Sequence, residues 1–218
     1  MNRMLRTLRN LTGAAALAAL GISAVAPGTP AVAQISTDAK LNAAVAALRA
    51  ISTLRADFTQ TDLRNGQTVT GVLTLKRPGK IRFQYEKRYP MLIVGDGKAL
   101  TLIDYEVNQV QRWPIKNSPL GALLDPTRDV AKFGTLKPTN NPDVTSIEVR
   151  DRSHPEYGVI TMIFVKNAAA PGGLELSYWV AHDSQNRQTT VQLRNQKYGM
   201  DVPDSTFRWK DPRPQVRR

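Results

Sequence analysis

The sequence predicts a mainly β protein of the α+β class: a strongly curved antiparallel sheet, either a barrel or an open half-barrel, accompanied by helices. Three observations predict it. From Leu54 onward, short segments alternate in hydropathy with a period of two. Turn residues separate them at roughly 8 to 12 residues, the spacing of antiparallel sheets, and about ten such strands can be placed. Two segments with a helical period stand outside the series, one before it and one in its middle.

The chain opens with a segment that does not belong to the fold. Met1 to Asn10 carries Arg3, Arg6 and Arg9 without an acid, the apolar run Leu11 to Val25 follows, and a Gly/Pro stretch ends in Ala31-Val32-Ala33. This is the three-part pattern of a secretory signal peptide, with cleavage expected after Ala33. The apolar run is shorter than the roughly 20 residues needed to span a bilayer, and no cysteine is present to carry a lipid anchor. Residues 1–33 are therefore expected to be removed, 34–210 to form one domain, and 211–218 to be a flexible basic tail.

Thr37 to Thr53 places Leu41, Val45, Leu48 and Ile51 at spacings of three and four behind Ser36 or Thr37 as a cap, which predicts an amphipathic helix. Leu54, Ala56 and Phe58 then alternate with polar residues, Asn65-Gly66 supplies a tight turn, and Val69 to Leu75 returns as the second strand of a hairpin. Arg77-Pro78-Gly79 turns the chain into a strand carrying Ile81, Phe83 and Tyr85 on one face. Met91 to Val94, Leu100 to Tyr105 and Asn108 to Trp113 follow as strands, the first two joined by Gly95-Asp96-Gly97. Ser118-Pro119 starts a short helix with Leu120, Leu123 and Leu124 on its apolar face, and Asp125-Pro126 starts a second helical turn ending near Gly134. Strands resume at Val144 to Val149, Val159 to Val165, Leu174 to Val180, Thr189 to Leu193 and Phe207 to Trp209. Because Val159 to Val165 is apolar on both faces, the sheet is expected to be covered on both sides.

Composition excludes much of chemistry. With no cysteine and two histidines there is no disulfide, thiolate site or multi-histidine metal centre, and no cofactor is expected. His182-Asp183-Ser184 are sequence neighbours, the wrong arrangement for a catalytic triad, and read as a turn; His154 lies in a polar loop. The net charge of +12 comes from basic residues scattered over strands and turns, among them Lys76, Lys80, Arg82 and Arg112, rather than from a basic helix or a stacking platform. Nucleic-acid binding is disfavoured on that ground. A solvated outer face and a positive field for docking onto an acidic protein or an anionic membrane both fit the charge.

Leu75-Lys76-Arg77-Pro78-Gly79-Lys80-Ile81-Arg82-Phe83 at one strand–turn–strand, Ile93-Val94-Gly95-Asp96-Gly97-Lys98-Ala99-Leu100 at the next, and Phe58-Thr59-Gln60 before them resemble, in order and spacing, the signature segments of the LolA family of periplasmic carriers of outer-membrane lipoproteins. The resemblance implies an unclosed β-barrel with an α-helical lid over an apolar cavity for acyl chains. It implies a non-enzymatic, monomeric chaperone of the periplasm, with acylated lipoproteins as cargo, loaded by an inner-membrane ABC transporter and unloaded by an outer-membrane acceptor lipoprotein. By the same resemblance Arg77 latches the lid. Phe58, Leu75, Ile81, Phe83, Leu92, Val94 and Leu102 are the expected acyl-chain lining, with Leu120, Leu123 and Leu124 on the lid. On the residues alone, Arg77 reads as a turn arginine and the apolar set as plain core. Gly95 stands where the family has a serine, and Ile81 and Thr101 stand where aromatic residues are expected. Two alternatives to a carrier are a related half-barrel that binds free lipid or senses lipoproteins without ferrying them, and a lipid-processing hydrolase, which would depend on His154 and His182.

Overall fold

The computed structural model describes residues 31–115, 121–124 and 130–214. Most of the expected signal segment, Leu120 and the end of the basic tail lie outside that range. The periodicity resolves into eleven strands in one antiparallel sheet. They are β1 (Thr53–Asp62), β2 (Thr68–Lys76), β3 (Lys80–Tyr85), β4 (Met91–Asp96), β5 (Ala99–Asp104), β6 (Gln109–Pro114), β7 (Gly134–Lys137), β8 (Val144–Arg150), β9 (Val159–Lys166), β10 (Leu174–His182) and β11 (Gln188–Tyr198). Their order is β6-β5-β4-β3-β2-β1-β11-β10-β9-β8-β7, so two meanders meet where β1 pairs with β11, and β6 and β7 are left as edges of an unclosed sheet. Among the described residues there are three α-helices: α1 (Ala31–Ala50), α2 (Gly121–Leu124) and α3 (Val130–Phe133).

Because sequential neighbours pair, the turns sort into two ends. The β2–β3 and β4–β5 turns lie at one end with the start of β1. The β1–β2, β3–β4 and β5–β6 turns lie at the other, and the β10–β11 turn joins them there, with Leu63 N–H donating to the Gln188 carbonyl at 3.0 Å.

The register sorts side chains by face. Leu54, Leu75, Ile81, Gly95 and Leu100 stand opposite one another across β1 to β5, and Ala56, Leu73, Phe83, Ile93 and Leu102 form the next row. On the other meander Leu136, Ile147, Met162, Trp179 and Val191 make the corresponding row. These residues, apart from the glycine and Leu102, join Ala44, Val45, Leu48 and Ile51 of α1 and Leu123 and Leu124 of α2 in one apolar cluster on the inner face. Helix α1 seats closely on the β9–β10 turn: a Cβ on Gly172, which adopts φ +71°, would come within 2.7 Å of the Ala47 Cα.

The opposite face of β4 and β5 carries a second, smaller cluster of Leu92, Val94 and Ile103, covered by Met200, Val202, Phe207 and Trp209. This covering segment corrects the strand expected at Phe207 to Trp209. It forms a 3-10 turn at Asp204–Phe207 and otherwise runs as an irregular strap. Its carbonyls are met by side chains, not by a neighbouring strand. Thr53 Oγ1 donates to Met200 O at 2.8 Å, Lys76 Nζ to Val202 O at 2.7 Å, and Arg82 to the carbonyls of Thr206 and Arg208 at 3.1 and 3.0 Å. Cover on the outer face is thus the strap's, over β4 and β5.

Other boundaries move for physical reasons. Helix α1 starts at Ala31, so Ser36 and Thr37 lie inside it, and the residue expected to end it, Thr53, opens β1. The second helical turn ends at Phe133 and Gly134 begins β7, a strand hidden by its shortness. Strand β11 continues past Leu193 because a bulge opposite Arg55 and Asp57 interrupts its alternation. There Asn195 takes φ +53° and donates to the Asp57 carboxylate at 2.7 Å.

Candidate functional site

At the first end of the half-barrel, Arg77 leaves β2 and reaches across to both helices. Its Nε and Nη2 donate to the Leu48 carbonyl at the end of α1, at 3.1 and 2.7 Å. Nη1 donates to the Leu124 carbonyl at 2.8 Å, and Nη2 also meets the Leu123 carbonyl at 3.2 Å. One planar guanidinium therefore ties together the sheet, α1 and α2 through carbonyls that a helix end leaves without partners of its own. The turn that presents it is closely built. Gly79 has φ +68°, and a Cβ there would come within 2.7 Å of the Gly97 Cα, so the two signature turns interlock through glycines.

Beneath this tie the inner face is sealed. Phe58, Leu75 and Ile81 are at most 1% exposed, and Phe83, Leu123 and Leu124 are also buried in the main cluster. An aromatic file runs through it: Tyr85 stacks edge-on against Phe58 at 5.2 Å, Phe58 against Phe83 at 5.4 Å, and Phe83 against Trp179 at 6.2 Å. At its outer end the Tyr85 hydroxyl donates to Gln60 Oε1 at 2.8 Å, and burial pushes the phenol up to about 12, so it remains a donor at any ordinary pH.

The expected lining is brought together in part. Phe58, Leu75, Ile81 and Phe83 share the inner face, Leu102 stands on it half-buried opposite Ile93, and Leu123 and Leu124 close it from α2. Leu92 and Val94 do not belong there: they face the strap, in the second cluster. Both sides of β4 are apolar, so alternation could not decide which was inward, and a one-residue choice flips every side chain. The inward side chains of β4 and β5 thus include Ile93, Leu100 and Leu102. The signal that marks them is Gly95, which lies between Ile81 and Leu100, where a Cβ would come 2.9 Å from Ile81 Cγ2 and 3.2 Å from Leu100 Cδ2. A serine at this place has to be accommodated by displacement of these two side chains.

The alternative chemistries find no geometry. His154 pairs with Glu156 at 2.9 Å and stacks on Tyr157, and His182-Asp183-Ser184 lead into a turn in which Asp183 binds Arg187. Among the described residues no three His, Asp or Glu side chains form a group able to hold a metal ion. Basic residues that seemed scattered carry structural ties: Lys76 and Lys80 both reach Asp204 of the strap at 2.8 Å, and Arg112 binds Asp96.

Comparison with known proteins gives the family. Residues 49–210 match the family model described as outer membrane lipoprotein carrier protein LolA. The chain belongs to the LolA family. An outer-membrane lipoprotein carrier protein from Chromobacterium violaceum is 44% identical over 202 residues, covering 89% of this chain and 93% of that one. A protein of the same name from Nitrosospira multiformis is 42% identical over 169 residues, covering 73% and 79%. An uncharacterized conserved protein from Thermus thermophilus has the same fold, with a TM-score of 0.50 at 11% identity over 79% of this chain and 94% of that one. As a LolA-family member the chain is a carrier and not an enzyme. No described helix is long and apolar enough to cross a membrane.

Proposed function

We propose that this chain shields the acyl chains of lipoproteins on the inner face of its half-barrel and ferries them across the periplasm to the outer membrane. The observation that carries the reading is the Arg77 tie, which closes two helices over an apolar cluster with hydrogen bonds to main-chain carbonyls of both. Such a closure is strong enough to hold and weak enough to be exchanged. A hydrogen bond to a charged group contributes about 1.5–3 kcal/mol. Burial of an acyl methylene contributes about 0.8 kcal/mol, so two to four methylenes offset each bond that opening breaks. A long acyl chain has methylenes to spare, and the empty carrier hides its apolar surface by closing on itself.

Under this reading the signal segment is removed after Ala33 and the mature monomer works in the periplasm. An inner-membrane ABC transporter loads it, and an outer-membrane acceptor lipoprotein unloads it. Phe58, Leu75, Ile81, Phe83 and Leu102, together with Ile93 and Leu100, contact the chains, and Leu123 and Leu124 move with the lid.

Native mass spectrometry of the mature protein, isolated from the periplasm of cells overproducing a triacylated lipoprotein, tests the reading. It predicts a one-to-one complex that separates into carrier and lipoprotein. A protein holding only free phospholipid would favour a lipid-binding half-barrel instead, and an empty protein would contradict transport.

A further inference from the structure

The far end of the half-barrel, opposite Arg77, holds a feature that acyl-chain burial does not use. A cavity of about 210 Å³ opens there between Gln60, Gln67, Val69, Tyr85, Tyr89 and Met91. It continues the inner face. Gln60 stands opposite Val69 and Val191 in the register, Val69, Tyr89 and Met91 pack against the main cluster, and Tyr85 heads the aromatic file through Phe58. Gly71 makes room for that file, since a Cβ there would come 2.8 Å from the Phe58 ring.

The polar groups of this cavity include uncharged N–H and O–H donors. Tyr85 donates its hydroxyl to Gln60 Oε1, which leaves the Gln60 amide N–H groups with no hydrogen-bond partner among the described residues. The Tyr89 hydroxyl and the Gln67 side-chain amide likewise have none among those residues. Asp62, which also lines the cavity, is engaged by the main-chain N–H and guanidinium of Arg64 at 2.9 and 3.3 Å. An apolar passage that ends in neutral donors suits a ligand that is hydrocarbon at one end and carries uncharged carbonyl acceptors where the hydrocarbon stops.

We propose that the Gln60 amide, held in place by the Tyr85 hydroxyl, forms with Tyr89 and Gln67 beside it a collar that receives the ester and amide carbonyls by which acyl chains join the glyceryl-cysteine head of the cargo. This rests on the carrier reading and adds a polar subsite to it. The collar sets how deep the chains enter and favours linked acyl groups over bare hydrocarbon. A charged headgroup gains nothing from it, because none of the collar's own side chains carries a charge.

The test compares two probes on the mature protein: a synthetic tripalmitoyl-cysteinyl lipopeptide and N-phenyl-1-naphthylamine, an apolar dye without a carbonyl. Tyr85→Phe keeps the ring and its stacking, and Gln60→Leu keeps the bulk. Gln60→Leu is expected to weaken lipopeptide binding about fivefold, the worth of one neutral hydrogen bond, and Tyr85→Phe, which removes the partner that orients Gln60, by up to the same factor, with the double variant no weaker than Gln60→Leu and dye binding unchanged. Variants that bind the lipopeptide as tightly as the parent, or that lose both probes in parallel, would overturn the collar while leaving the carrier reading intact. A parent protein that binds the dye but not the lipopeptide would overturn both.

Discussion

The two faces of strands β4 and β5 are both apolar, yet they are built for opposite purposes. On the inner face, Ile93 and Leu100 join a large cluster whose other side is two helices bridged by the Arg77 guanidinium. On the outer face, Leu92, Val94 and Ile103 are covered by a strap held by Thr53, Lys76, Lys80 and Arg82. Among the described residues the inner cover is held by Arg77, and the outer cover by ties spread over four residues. A sheet that must admit hydrocarbon on one side is kept in shape from the other.

Breaking the outer cover should have the largest effect. A chain ending at Gly199 leaves Leu92, Val94 and Ile103 bare and four cationic or hydroxyl donors without their acceptors; it is expected to lose its cooperative thermal transition by circular dichroism. Point changes sharpen the contrast. Trp179→Ala on the inner face and Phe207→Ala on the outer face should each cost about 3–5 kcal/mol in denaturant unfolding of the empty protein. Addition of a triacylated lipopeptide should shrink the Trp179→Ala deficit, as hydrocarbon fills the space, and leave the Phe207→Ala deficit as it was. Equal response to cargo on both faces would dissolve the distinction.

Next in size is Arg77→Leu, which leaves the Leu48, Leu123 and Leu124 carbonyls without their charged donor. The fold is expected to persist while the lid stands open. Cargo should still bind, and hand-over to an acceptor should slow by at least tenfold, read as lipoprotein transferred per minute. Transfer at the parental rate would remove Arg77 from the mechanism.

The smallest effect is on the strap's ion pairs. Hydrogen bonds from the ammonium groups of Lys76 and then Lys80 hold the Asp204 carboxyl down at about 2. Its usual value in an unfolded chain is about 3.9, so its contribution is complete above about pH 4 and is lost as the pH falls toward 2. The difference in melting temperature between parent and Asp204→Asn should be constant from pH 8 to 5 and close below pH 4.

The elements that the sequence shows most plainly are those whose demands are local. The β2–β3 and β4–β5 turns announce themselves through Gly79 and Gly97, which take positive φ where no other residue is comfortable. The meander of β1 to β6 follows from alternation. What alternation cannot show is which side of an all-apolar strand faces in, and so Leu92 and Val94 trade places with Ile93 and Leu100. Nor can it show that the segment around Phe207, strand-like in pattern, has the carbonyls of Thr206 and Arg208 met by the side chain of Arg82, more than a hundred residues away. Arg77 is a turn arginine by its local sequence. Only the resemblance to the LolA family suggested a latch, and its carbonyl partners lie on helices far from it in the chain.

The most direct test of inner-face loading uses two of the protein's tryptophans. Trp179 lies in the inner cluster and Trp209 in the strap on the outer face. Variants keeping one tryptophan each, the others replaced by phenylalanine, can be titrated with a lipopeptide whose acyl chains are brominated, a quencher that acts only near contact. Strong quenching of Trp179 with Trp209 unaffected is the predicted result. Quenching of Trp209, or of neither, would contradict it.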